Sequence, residues 1–416
     1  MPSQGCAPGL PAYVGPLCGP PNMPCASVID EVLLGAPVFR NDAPSVALDD
    51  TCLPYVLYST AQGAFQGFLA HRDATGLWTA QQTPFPVSTG GLALSPAGDV
   101  YALADNGSSN VTLWTQSGGQ WNGGAPALGT VHAGSGSLAR DGAGLLHAGL
   151  GGPNNTAFHG TYGAAWQLTP LGTVYFPRVA VAVSAAGQAQ LAYWTANANW
   201  KLTWAAPPAA PEDACLLGSN ILDFQQYHHA IAIGLPDGPN PAGRPHLLSA
   251  RPLPGLIYPN EQEIIYSTRQ GPGQWNNVVV EQVNLVGNMQ CDYPATMPGQ
   301  TCDYDYEDLW PIGIVATLGK DVRFVYAKLH FMGTWVADCM FGNCEWASQS
   351  NLTTGDLRIG WLDSNGQAQH AVVANGVLAQ GGTVALDGLG RIHVAIYDMS
   401  APTFDGLDVR YFRIGP

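Results

Sequence analysis

A short apolar run, a tight polar turn and a second apolar run recur along this chain. The phrase reads SVALDDTCLPYVLYS from Ser45, GLALSPAGDVYALAD from Gly91, SLARDGAGLLHAGLG from Ser137 and VAVAVSAAGQAQLAYW from Val179. It returns as AIAIGLPDGPNPAGRPHLLSA from Ala230, IGIVATLGKDVRFVYA from Ile312 and TVALDGLGRIHVAIYD from Thr383. Each apolar run has strand length, and Gly, Asp, Ser or Pro fills each turn, which is the hairpin signature. A third run and a Gly-containing hairpin then lead to a fourth strand that often opens on Trp. Examples are FQGFLAHRDATGLWTAQQT from Phe65, VTLWTQSGGQWNGG from Val111 and EIIYSTRQGPGQWNNVVVEQV from Glu263.

Seven such units predict an all-β chain of four-stranded sheets arranged radially, a seven-bladed β-propeller. The blades start near residues 45, 91, 137, 178, 229, 312 and 382, and residues 1–26 form a Cys/Pro-rich extension. The last unit ends after three strands, with LDVRYFRIGP. The unassigned segment SVIDEVLLG, Ser27 to Gly35, is expected to supply its outer strand, because an unclosed ring leaves unpaired edges. Propeller closure by that N-terminal strand makes residues 27–416 a single domain.

Composition narrows the classes. Charged residues are 11% of the chain and the formal net charge is −15, with Lys only at 201, 320 and 328. A nucleic-acid partner needs clustered cations and is excluded. No apolar run reaches 18 residues, so no transmembrane segment is expected. The nine cysteines include Cys291 and Cys302 around one loop and Cys339 and Cys344 around another, with no C-x2-C pair. These suit disulfides in an exported protein, and the odd count leaves one cysteine unpaired within the chain. Met1-Pro2-Ser3-Gln4 carries no secretory signal, so the reading is an exported protein without its leader.

The hairpins Asp73-Ala-Thr-Gly-Leu-Trp78, Ser117-Gly-Gly-Gln-Trp121 and Gln270-Gly-Pro-Gly-Gln-Trp275 resemble the Asp-box repeats of sialidase-like propellers. The resemblance implies the fold and not an activity, since these boxes are structural turns away from a site.

Candidate chemistry lies in the long connections. Pro208 to Gln226 is read as joining blades four and five, Gln282 to Pro311 as joining blades five and six, and Lys328 to Gly355 as a loop inside blade six. All three open on one face, where recognition is expected. Asp303, Asp305, Glu307 and Asp308 are a candidate calcium site by their carboxylate spacing. Phe331, Trp335, Phe341 and Trp346 are candidate ligand-stacking aromatics. His147, His246 and His393 repeat three residues after a turn Gly and are read as scaffold.

His132, Tyr175, Arg178, Tyr227 and His228 sit where innermost strands begin, at the channel mouth, and are candidates for acid–base work on a sugar. Two functions follow. The first is an exported propeller binding a glycan or protein on the loop-rich face of blades four to six. The second is a polysaccharide-degrading enzyme, a lyase before a hydrolase, using the Tyr/His/Arg group. No G-x-S-x-G elbow supports a serine hydrolase.

Overall fold

The protein is described by a computed structural model. It covers residues 27–34, 43–60, 66–87, 90–104, 110–134, 136–174, 178–197, 199–218, 229–234, 236–253, 261–284, 300–317, 321–340, 343–399 and 408–415. Seven four-stranded antiparallel sheets form the ring. Their innermost strands are Ser45–Leu48, Leu92–Leu94, Leu138–Arg140, Val179–Val183, His229–Ile233, Thr301–Ala316 and Ala379–Leu386. In the last sheet the order from the outside is Ser27–Leu34, Asp408–Gly415, Ile392–Asp398, Ala379–Leu386, so the N-terminal strand closes the ring as expected.

The recurrent turn shows why the sequence repeats as it does. In Asp73, Asp141, Asp363 and Asp387 one carboxylate oxygen accepts the amides two and four residues ahead. The fourth position must then be left-handed, and Gly76, Gly144, Gly366 and Gly390 hold φ between +75° and +94°. Ser95 and Ser184 do the same work with a hydroxyl at amides four ahead. A short acceptor at the first position and glycine at the fourth are therefore what this turn demands.

Burial explains the apolar runs. Each seam between sheets is filled from both sides. Leu57, Leu69 and Phe85 of blade one meet Leu92, Leu94 and Val100 of blade two. The closing seam is built alike, with Leu33, Tyr397, Val409 and Tyr411 against Val46, Val56 and Tyr58. Where blade three meets blade four the backbones approach closely: a Cβ on Gly149 would stand 2.3 Å from the Val179 carbonyl.

Polar clasps reinforce some seams. Glu31, on the closing strand, takes two bonds from Arg72 at 2.9 and 2.7 Å and one from the Trp78 indole at 2.8 Å. Glu212, on the outer strand of blade four, takes the same three from Arg269 and Trp275 of blade five, at 2.9, 2.7 and 3.3 Å. In both blades the arginine precedes the tryptophan by six residues. The hairpin Trp thus docks a blade onto its predecessor.

All three long connections hold strands. Blade six begins at Thr301, eleven residues before Ile312, and its first three strands run Thr301–Ala316, Val322–Met340 and Asn343–Leu362. They pair continuously, Thr301 with Val336 and Met340 with Asn343, as a three-stranded extension beyond the ring. Likewise the connection from Pro208 holds the fourth strand of blade four, Glu212–Gly218. Polar and charged residues in these segments resemble loop in the sequence, but strands exposed on one face carry such residues at alternate positions.

Candidate functional site

On the blade-six extension, alternation separates two chemistries. Cys302, Tyr304, Tyr306 and Asp308 share one face of their strand, and Asp303, Asp305 and Glu307 share the other. On the first face Tyr304 packs with Trp335, ring centres 4.6 Å apart, and Tyr306 stacks on Phe331 at 4.9 Å. Tyr304 is buried, while Phe331 and Trp335 are half-buried. On the second face Asp303 accepts Thr334 at 2.7 Å, Asp305 pairs His330 at 2.5 Å and Glu307 pairs Lys328 at 2.9 Å.

This geometry does not gather the four candidate calcium ligands at one point. Asp303, Asp305 and Glu307 stand about 7 Å apart in succession along a strand and each already has a partner across the ladder. Asp308 points to the opposite face, buried, accepting the Leu309 amide and the Trp310 indole at 2.8 Å each. Among the described residues no group of three or more His, Cys, Asp or Glu is placed to hold a metal ion. Of the candidate aromatics, Phe331 and Trp335 are brought together with Tyr304 and Tyr306. Trp346 lies on the third strand, and Phe341 lies outside the described residues.

The channel places only part of the proposed acid–base group. Its cavity measures about 70 Å³ and is walled largely by backbone and aliphatic side chains of the innermost strands, among them Gly136, Val179, Ile312 and Thr383. Arg178 and His229 are its ionisable groups. His229 donates Nε2–H to the Ala192 carbonyl at 2.8 Å, which turns the imidazole toward blade four. His132 bridges Gly151 ahead of the first strand of blade three and is not on the channel wall among the described residues. Tyr175, Tyr227 and His228 lie outside the described residues. Arg178 therefore shares the channel with His229, the neighbour of the expected histidine.

The repeated histidines are buried, as a scaffold role requires. Burial drives the pKa of His246 down to about 3 and that of His159 to about 4, with Arg244 and His147 respectively adding to the effect. Cys215 is a buried free thiol, its pKa raised by burial, while Cys52 and Cys302 are disulfide-bonded. Cys339 and Cys344 face each other in the strand register.

One larger cavity escaped the sequence reading. About 270 Å³ opens between blades five and six on the other face of the ring, beside the turn that carries Asp237 and Arg244. The signal was present: blade five alone spreads its first turn over LPDGPNPAGRPH.

No protein-family model matches the chain, and no curated protein does. Solved structures do resemble it in fold. A lectin from Burkholderia pseudomallei aligns at TM-score 0.50 and 13% identity, over 94% of this chain and 97% of the lectin. A fungal alcohol oxidase solved with copper aligns at 0.51 and 12%, over 94% of this chain and 76% of the oxidase. An ulvan lyase aligns at 0.47 and 9%, over 91% and 94%. At such identities the likeness is one of propeller architecture, which hosts unrelated functions.

Proposed function

We propose that this chain is a glycan-binding propeller of an exported protein, with its ligand on the face of blades four to six. The observation that carries the reading is the blade-six extension. Its strands of 16, 19 and 20 residues stand against three to eleven in the other blades. Phe331 packs against the core shared by blades six and seven, while Trp335, farther out on the prolonged sheet, is half-buried and available for a second use. Flat aromatic rings backed by tyrosines suit the apolar face of a sugar.

Export is supported by the disulfide-bonded Cys52 and Cys302 and by the opposed Cys339 and Cys344. The lectin likeness agrees with the reading at the level of fold. A catalytic role through the channel has less support. Arg178 and His229 share a cavity of about 70 Å³, and His229 is already committed to the Ala192 carbonyl. Nor does a helix long and apolar enough to cross a membrane occur among the described residues.

The test is binding of the whole chain to immobilised polysaccharides and oligosaccharides, with Trp335→Ala and Phe331→Ala alongside. Stacking energies of about 0.5–1.5 kcal/mol beyond buried area predict a loss of about 2- to 12-fold for each variant, with unchanged melting of the ring in Trp335→Ala. Binding that survives both substitutions, or a wild type that retains no glycan, would refute the reading. Release of unsaturated sugars would instead favour the lyase.

A further inference from the structure

The histidine repeat locates a second site, on the face opposite the blade-six extension. In blade seven both ring nitrogens of the buried histidine are engaged. His393 Nε2–H donates to the Asp387 carboxylate at 3.2 Å, so Nδ1 is left to accept the Tyr411 hydroxyl at 2.7 Å. In blade three His147 is held alike, by Asp141 at 3.4 Å and by His159 at 3.2 Å. Asp387 and Asp141 occupy one structural position. Each is the turn residue whose amide bonds the carbonyl two residues before the histidine, Arg391 and Leu145 respectively.

Blade five keeps the histidine and loses the acid. Gly234 takes the equivalent place, its amide bonded to the Arg244 carbonyl at 2.9 Å, two residues before His246. His246 still pairs Nδ1 with a tyrosine hydroxyl, Tyr266, at 2.7 Å. By the blade-seven pattern the tyrosine donates and Nε2 carries the proton. Among the described residues Nε2 makes no hydrogen bond. A Cβ at position 234 would lie 2.7 Å from it, so glycine keeps that edge of the ring open. The longer turn is held by Asp237, which accepts from Asn240 at 2.9 Å and pairs Arg244 at 2.6 Å. Asn240 is spent on Asp237 and on Arg269.

The cavity of about 270 Å³ lies beside this histidine. Asp237, Arg244, Tyr266 and Thr268 wall it on the blade-five side, and Val322 and Leu362 wall it across the seam. We propose that it binds a neutral, hydroxyl-rich ring of about monosaccharide size. Its volume is at the small end for ligand pockets, roughly 300–1,000 Å³, so it admits one ring and not a folded chain. The charges close on themselves: Arg244 has Asp237, and Asp321 on the blade-six rim has Arg323. Burial keeps His246 uncharged at neutral pH. What remains is a mixture of donors and acceptors beside an apolar wall, which matches hydroxyls on a ring and offers an anion no unspent cation.

The probes are galactose, mannose and N-acetylglucosamine, with glucuronate as the charged counterpart. Binding to the whole chain is read by saturation-transfer NMR and calorimetry. Asn276→Trp places an indole at the exposed rim of the cavity, and Gly234→Ala covers Nε2. A neutral sugar is expected to bind and to lose at least tenfold in affinity in Asn276→Trp. Glucuronate is expected to bind at least tenfold more weakly. The proposal is overturned if no neutral sugar binds, if Asn276→Trp leaves binding intact, or if glucuronate binds as well. Loss in Trp335→Ala without loss in Asn276→Trp would assign the sugar to blade six and also overturn it. Asn276 is exposed, so its variant tests the cavity even where Gly234→Ala fails to fold.

Discussion

Replacing Glu31 by alanine removes the polar clasp that holds the closing strand to blade one. The fork from Arg72 is two charge-assisted bonds of 2.9 and 2.7 Å, and the Trp78 indole adds a third of 2.8 Å. The side chains are 15% and 25% exposed, so solvent recovers part of what is lost. An exposed pair is worth about 0.2–1 kcal/mol, and breaking a buried one costs about 3–5 kcal/mol. This intermediate case should cost about 2–3 kcal/mol, a factor of roughly 30 to 140 in an opening equilibrium at 1.4 kcal/mol per decade. Hydrogen exchange of the amides in Ser27–Leu34 reads that equilibrium directly, since those residues pair only with Asp408–Gly415 at the edge of the sheet. Glu31→Gln keeps an acceptor for Trp78 and should fall between. Glu212→Ala breaks the matching clasp of blades four and five and should leave exchange in Ser27–Leu34 unchanged. Exchange there that rises less than threefold in Glu31→Ala, or as much in Glu212→Ala, would show that the apolar seam around Leu33 closes the ring unaided.

Acid should open the same strand. Burial alone would raise the Glu31 pKa, but the bonds from Arg72 and Trp78 and the arginine charges outweigh it and hold the carboxyl below its ordinary value of 4.5. Its contribution is therefore complete above about pH 4.5 and is lost as pH falls through the lower folded value. Exchange corrected for its intrinsic pH dependence should rise there in wild type and stay flat in Glu31→Gln. Asp387 is fully buried and accepts the Leu389 and Arg391 amides, the Arg391 side chain and His393. Asp387→Ala should cost about 3–5 kcal/mol, seen as a lower denaturant midpoint at constant slope. Gly98→Ala meets no neighbour but must hold φ near +84°, so it should cost about 1–2 kcal/mol. Gly149→Ala pushes a methyl into the Val179 carbonyl and should cost more, in the same denaturation assay.

Most of the ring was legible in the chain. A turn that needs Asp or Ser at its first position and Gly at its fourth writes itself into the sequence, because both demands are local to five residues. Two buried faces per blade write themselves as apolar runs. The missing fourth strand of the last unit and the spare strand at Ser27 then left one way to close. The channel group was read less well. The alternation of a strand decides whether His228 or His229 faces the axis, and that parity needs the first strand's register. The acidic run from Asp303 is ambiguous in the sequence, because carboxylates alternating along an exposed strand resemble a metal loop until their ladder partners, Thr334, His330 and Lys328, are known.

Sequence alone thus determined the repeat, its turns, the number of sheets and the strand that joins the two ends, since each follows from backbone geometry and burial within one blade. Only the tertiary structure decided what lies between blades. Glu31 finds Arg72 across the closing seam, Glu212 finds Arg269 fifty-seven residues on, and His246 lacks the acid that its counterparts His147 and His393 possess. Such pairings depend on which side chains the ring brings to a shared edge, and distance along the chain carries no record of that.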